Sequence, residues 1–153
     1  EETERGEDWR RAKVEEKIRE EEIRDLIKAW IAISIAFGII LSESIGITNA
    51  VLVAAFSVGL GFLLHQLAHK FVAQKYGCVA EFRAFDQMLY LAVGLAFFVG
   101  FIFAAPGAVM IRGYVDRRKN GIISIAGPAV NIMLAVIFLI LLNILASILN
   151  FIV

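Results

Sequence analysis

Residues 59–77 read GLGFLLHQLAHKFVAQKYG, and this stretch governs the interpretation of the whole chain. It continues an apolar run that begins at Ala50, yet it places His65, Gln66 and His69 before its first lysine. Polar side chains at membrane depth are costly, so they usually face a cavity, a polar partner or a metal ion. On a helix, His65 and His69 lie one turn apart on the same face, where their imidazole nitrogens can converge on one metal ion.

The composition is that of a membrane protein, because 59% of the 153 residues are apolar and only 20% are charged. The charges are unevenly distributed along the chain. Residues 1–29 hold eleven acids and eight bases, a net charge of −3, whereas residues 30–153 hold four acids and seven bases, a net charge of +3. The single cysteine, Cys78, excludes a disulfide within the chain.

The N-terminal segment, residues 1–29, is predicted to be a charged amphipathic helix beside the membrane. Val14, Ile18, Leu26 and Trp30 recur at multiples of four residues, with charged residues between them. We expect this helix to run directly into the first membrane span. Residues 30–153 then form the second predicted domain, a transmembrane core.

Three long apolar stretches, at residues 26–41, 50–64 and 122–153, can each supply the roughly 20 residues that a spanning helix needs once their flanks are included. They predict an all-α polytopic membrane protein with about three spanning helices. A fourth stretch, residues 88–111, contains Ala-Ala-Pro-Gly, which breaks a helix or marks a turn. We expect it to be re-entrant and partly β; a plain fourth crossing with a proline kink is the alternative.

The basic residues of the loops predict the orientation. The link at 42–49 contains no lysine or arginine, whereas residues 112–119 contain four. By the positive-inside rule the first link lies outside, and the N-terminus and the 112–119 loop face the cytoplasm. If 88–111 is re-entrant, the basic residues at 112–119 stay on the cytoplasmic side. Non-helical backbone at membrane depth is tolerated where it lines an internal site. We therefore expect a multi-pass protein of the cell membrane with its site toward the cytoplasm.

A second motif, SIAGPAVNIMLAV at residues 124–136, places Gly127 and Asn131 one helical turn apart. Together, HQLAH and this motif resemble the site-2 protease family of intramembrane metalloproteases, whose motifs are His-Glu-x-x-His and Gly-Pro-x-x-Asn. The stretch FIFAAPGAVMIRGYV followed by RRKNG resembles the connecting region of archaeal members. The resemblance covers residues 30–153 and leaves the N-terminal helix outside.

The resemblance implies that His65 and His69 are ligands of Zn²⁺ and that position 66 holds the general base. That position is Gln66 here, and an amide cannot accept and return a proton at neutral pH, so we expect this chain to be inactive. The near-isosteric exchange favours an introduced substitution over a natural inactive homologue. The family places the matching asparagine, Asn131, beside the scissile peptide; an ordinary interhelical hydrogen bond is an equal alternative.

The third zinc ligand of the family is an aspartate in a later spanning helix, and it has no match in this chain. Asp86 and Asp116 lie in predicted loops between the motifs. We therefore expect that aspartate beyond Val153, and weak metal binding without it, because two histidines do not complete a tetrahedral zinc site.

These features predict an intramembrane zinc metalloprotease that cleaves a single-span membrane protein. The substrate would unwind and pair by strand addition with residues 101–111. A metal or ion transporter whose histidines line a pathway, and a non-catalytic membrane scaffold, stay open as alternatives. Membrane lipid is the other expected partner. Nothing indicates a nucleic-acid partner, and the oligomeric state stays open.

Overall fold

The computed structural model describes the backbone of residues 2–103 and 105–152 and the side chains of residues 13–103 and 105–151. Glu1, Ala104 and Val153, which belong to the predicted segments 1–29, 88–111 and 122–153, lie outside the described residues.

The described chain is mostly helical, which confirms the predicted predominance of helix. Its helices are α1 (Glu2–Ile45), α2 (Ile47–Ala54), α3 (Leu60–Lys75), α4 (Asp86–Val99) and α5 (Arg117–Ile152), with a π-helical turn at Ala55–Gly59. Two strands, β1 (Val79–Ala84) and β2 (Gly107–Arg112), form a two-stranded sheet. The chain divides into two compact units, residues 1–59 with 81–110 and residues 60–80 with 111–153.

Three helical stretches are long and apolar enough to cross a membrane, namely Lys13–Ile45, Ile47–Lys75 and Arg117–Phe151. Each of the three predicted spans begins inside one of them, and the N-terminal amphipathic segment continues into the first without a break, as expected. The fold is therefore compatible with a membrane protein.

The first two long helices are separated by a tight reversal at Gly46. This residue has a φ of 76°, a conformation that favours glycine. Below the reversal, the indole Nε1 of Trp30 in α1 donates to the carbonyl of Ala55, 3.1 Å away. This hydrogen bond satisfies a carbonyl in the π-helical turn and joins α1 to that turn.

The two strands run antiparallel. The amide of Phe85 donates to the carbonyl of Pro106 at 3.0 Å, and Gly113 lies against Cys78 at the other end of the sheet. Pro106 is thus the residue opposite Phe85, so the chain leaves the sheet after β1 and returns to the same place to begin β2. All but the last residue of β2 falls within the segment predicted to be partly β, 88–111, whereas β1 was not predicted.

The outer edge of β1 is covered by carboxylates of α1. Glu22 accepts from the amide of Phe82 at 2.9 Å, and Asp25 accepts from the amide of Ala84 at 3.1 Å. Successive amides of a strand point to opposite sides, and the amide of Phe85 points toward β2. The amide of Ala84, next to Phe85, therefore points away from β2, and that of Phe82, two residues earlier, does the same. Glu22 and Asp25 are only 5% and 7% exposed. Two side chains of α1 therefore accept the hydrogen bonds that a neighbouring strand would accept if this were not an edge.

The excursion between the strands consists of α4 and a return segment. Helix α4 has 14 residues, a length of about 21 Å, and ends at Gly100 with a φ of 69°. Residues 101–103 and 105–106 have no regular secondary structure. A hydrocarbon core is about 30 Å thick, so α4 is short for a crossing. Whether this segment is re-entrant in a bilayer stays a prediction.

Candidate metal centre

The predicted histidine pair lies in the middle of α3, which ends at Lys75. The apolar residues that precede His65 continue the second long helix, and the pair is brought onto one face by the spacing of four residues. Nε2 of His65 and Nε2 of His69 are 3.1 Å apart, and the two rings meet edge to face with centroids 4.7 Å apart. Both side chains are half-buried.

Helix α5 covers this face with three residues at a spacing of four. The carbonyl of Ile123 lies 2.7 Å from Nδ1 of His69, and the side-chain amide nitrogen of Asn131 lies 3.1 Å from Nδ1 of His65. Gly127 is midway between them and is buried. The structure therefore brings together the HQLAH motif and the Gly-Pro-x-x-Asn motif, which are more than fifty residues apart in the sequence.

Gly127 is required at the point of closest approach. A Cβ built on this residue would lie 2.6 Å from Nε2 of His65 and even closer to Nε2 of His69. Any side chain here would collide with both imidazole nitrogens. The glycine thus permits the close contact between α5 and the histidine pair.

The arrangement fits a metal ion such as zinc. Two nitrogens bound to one zinc ion at about 2.05 Å, with a tetrahedral angle between them, are about 3.3 Å apart, close to the 3.1 Å found here. Metal-binding histidines generally donate their other ring N–H to an outer partner, and the Ile123 carbonyl is such a partner for His69. Among the described residues, however, there is no cluster of three or more histidine, cysteine, aspartate or glutamate side chains that could hold a metal.

The two aspartates between the motifs are engaged elsewhere. Asp86 accepts from the Lys28 ammonium at 2.7 Å. Asp116 is the N-cap of α5, where its carboxylate accepts from the amide of Lys119 at 2.8 Å. Both carboxylates thus have hydrogen-bond partners outside the histidine pair.

Gln66 follows His65 on α3 and is half-buried. Consecutive residues of a helix are turned by about 100°, so Gln66 leaves the helix beside the histidine face rather than on it. Its role at the general-base position, like the zinc-ligand role of His65 and His69, stays a prediction.

One member of the site was missed by sequence reasoning, namely the backbone carbonyl of Ile123. Its signal is positional, because Ile123 is four residues before Gly127 and therefore lies on the same face of α5 as Gly127 and Asn131. A carbonyl contact carries no side-chain signature, so only the packing of α5 on α3 reveals it.

Comparison with known proteins gives one relationship that bears on this site. The chain is 44% identical over 91 residues to a protein of Methanocaldococcus jannaschii named "Putative zinc metalloprotease". The aligned region covers 59% of this chain and 48% of that protein. The chain thus spans about half the length of that relative. No protein-family model matches the chain, and no solved structure matches it. The relationship in sequence is therefore to a protein named for zinc and for proteolysis.

Proposed function

We propose that this chain is the core of an intramembrane zinc metalloprotease of the site-2 type, with glutamine at the position of its general base. The observation that carries the proposal is the convergence of His65 and His69, with Nε2 atoms 3.1 Å apart, beside Gly127, where no side chain stands between the two helices. The relative named for zinc metalloprotease activity supports the same class of enzyme.

His65 and His69 would hold the metal ion, and the remaining positions would be filled by the family's aspartate and by water. A zinc ion bound there supplies Lewis-acid activation of water and of the scissile carbonyl. The protein itself must supply a base, and Gln66 cannot take a proton from water at neutral pH. The chain as written is therefore expected to bind metal weakly and to leave the substrate uncleaved.

The return of the chain from Phe85 to Pro106 supports a re-entrant segment, one that enters and leaves the membrane on the same side. The hydrogen bond between these residues joins the two ends of the excursion, and α4 is too short to cross unaided. The edge of β2 that faces away from β1 would then pair with an unwound, single-span substrate. The carboxylates of Glu22 and Asp25 occupy the β1 edge, so strand addition is directed to β2.

Restoring the base tests the proposal. Gln66→Glu, in a chain that also carries the aspartate span, should cleave a single-span membrane protein within its membrane segment. A positioned base typically contributes about 10²–10⁴-fold in rate, so cleavage should rise clearly above the background of the unaltered chain. The products can be measured by mass spectrometry after incubation in proteoliposomes.

Two comparisons make the result specific. Gln74→Glu introduces the same carboxylate two turns later on α3 and should leave the chain inactive. His65→Ala combined with Gln66→Glu, or addition of a zinc chelator, should remove the restored activity. A folded, zinc-loaded Gln66→Glu protein that cleaves none of a broad panel of membrane helices would contradict the proposal, and metal flux across liposomes would favour a transporter.

A further inference from the structure

Charge is divided unequally between the two compact units. Residues 1–59 with 81–110 hold fourteen acids and nine bases, a net charge of −5, whereas residues 60–80 with 111–153 hold one acid and six bases, a net charge of +5. The six bases are Lys70, Lys75, Arg112, Arg117, Arg118 and Lys119. The second unit is therefore strongly basic, although the chain as a whole is neutral.

The structure brings bases of two helices to the same end of this unit. Helices α3 and α5 pack antiparallel, because the later residue of the histidine pair contacts an earlier residue of α5. Lys75 lies six residues after His69, and Arg117 lies six residues before Ile123, which His69 contacts. At 1.5 Å per residue, both are about 9 Å along the helices from this contact and on the same side of it.

A contact between the two helix ends supports this placement. The ammonium group of Lys119 lies 5.9 Å from the centre of the Tyr76 ring, and Tyr76 directly follows Lys75. The same ammonium group is 3.9 Å from the carboxylate of Asp116, the single acid in the sequence of this unit. Asp116 also accepts from the amide of Lys119. The acid is therefore engaged with Lys119.

Three further bases at this end, Lys75, Arg117 and Arg118, are exposed and make no ion pair with any side chain that the structure describes. They lie where two candidate membrane spans end, because one span finishes at Lys75 and the other starts at Arg117. Like charges repel one another, and bases in the first turn of α5 also face the positive end of the helix dipole. An anion at this level would relieve both effects.

We propose that Lys75, Arg117 and Arg118 form a binding surface for the phosphate groups of anionic phospholipids. Bases at the ends of spanning helices lie at the level of the lipid headgroups, and such clusters are typical of surfaces that bind acidic lipids. The positive-inside rule accounts for the side on which these bases lie, but it does not require them to meet across two helices. The inference rests on the membrane placement in the proposed function, and not on the histidine pair or on proteolysis.

The test is native mass spectrometry of the chain in an uncharged detergent, titrated with phosphatidylglycerol or with phosphatidylcholine. Each base near an anionic lipid surface typically strengthens binding about fivefold. The combined exchange Lys75→Gln, Arg117→Gln and Arg118→Gln should therefore weaken phosphatidylglycerol binding by about 10²-fold and leave phosphatidylcholine binding unchanged. Arg118→Gln alone should weaken it about fivefold, so the test does not depend on the folding of the triple variant.

The matched control is the combined exchange Lys17→Gln, Arg19→Gln and Arg24→Gln. It also removes one lysine and two arginines, all of them exposed, but from α1. At an ionic strength of about 0.15 M, exposed charges more than about 8 Å apart are largely screened from each other. The phosphatidylglycerol affinity of this variant should therefore equal that of the unaltered chain.

Four outcomes overturn the inference. They are equal affinity of the unaltered chain for the two lipids, undiminished phosphatidylglycerol binding by both glutamine variants of the basic surface, an equal loss in the α1 control, and displacement of the lipid by excess inorganic phosphate. The last outcome would identify a site for a soluble anion instead. Failure of the membrane placement itself is distinct, because the chain would then stay soluble when the detergent is removed.

Discussion

At the scale of single residues, the site depends on the absence of a side chain at Gly127. Gly127→Ala would place a methyl group against Nε2 of both histidines, so the rings must turn away from each other. We expect zinc binding to be lost and the free energy of unfolding to fall by about 1–3 kcal/mol, as is typical of overpacking. Zinc content at a fixed free-zinc concentration and equilibrium unfolding in mixed detergent measure the two effects.

Gly121→Ala is the matched control for this change, because it adds the same methyl group to the same helix. A Cβ at Gly121 meets no atom within 4 Å in the described part of the chain. Zinc content should therefore equal that of the unaltered chain, and the stability should be unchanged or slightly higher, since alanine favours a helix over glycine. Full zinc content in Gly127→Ala would show that the histidine pair is not the metal site.

At the scale of elements, α1 and β1 are joined by two hydrogen bonds from backbone amides to carboxylates, one buried and one partly buried. Glu22→Ala removes the acceptor of the Phe82 amide, and both residues are buried. Loss of a partner by a buried donor costs about 1–3 kcal/mol, so the free energy of unfolding should fall by that amount. Glu22→Gln keeps an acceptor oxygen and should recover part of the loss. Both are measured by equilibrium unfolding.

Glu21→Ala provides the comparison on the neighbouring residue. Glu21 pairs with Arg83 at 2.8 Å, and this carboxylate raises the pKa of the Arg83 guanidinium above its ordinary value. Both side chains are partly exposed, so the pair is screened by water and contributes less than the Glu22 hydrogen bond. If Glu21→Ala and Glu22→Ala lowered the free energy of unfolding equally, the hydrogen bond of Glu22 to the β1 edge would not be the larger contribution.

At the scale of the whole molecule, the prediction concerns topology. In a Cys78→Ala background, Val79→Cys and Asn120→Cys should be labelled from the cytoplasmic side, and Ser44→Cys from the outside. The reason is that residues 112–119 carry four basic residues, whereas the 42–49 link carries none. Labelling with a membrane-impermeant thiol reagent in oriented vesicles measures the side.

The chosen positions follow the structure. Ser44, Val79 and Asn120 are exposed, whereas the neighbouring Ala80 is buried and would resist labelling on either side. Labelling of Asn120→Cys from the outside, with Val79→Cys labelled from the cytoplasm, would replace the re-entrant segment by a plain crossing. The same result would place the ends of α5 on the opposite sides from those proposed.

The sequence by itself determined the three long apolar helices and the shared face of His65 and His69. These properties are local, because a helix repeats every 3.6 residues and hydrophobicity can be read along one segment. It also indicated a break at Ala-Ala-Pro-Gly, residues 104–107, where proline and glycine do not continue a helix. Both motifs of the site were recognisable in the sequence, but not the contacts between them.

Only the tertiary structure decided which groups meet. Strand β1 was missed because its hydrogen bonds are made to β2 and to Glu22 and Asp25, and those two carboxylates are nearly sixty residues earlier. The contacts of His69 with Ile123 and of His65 with Asn131 likewise join different helices. Side-chain spacing places a residue on a face, but the face that it meets depends on non-local packing, and here that packing sets the partner of each imidazole nitrogen.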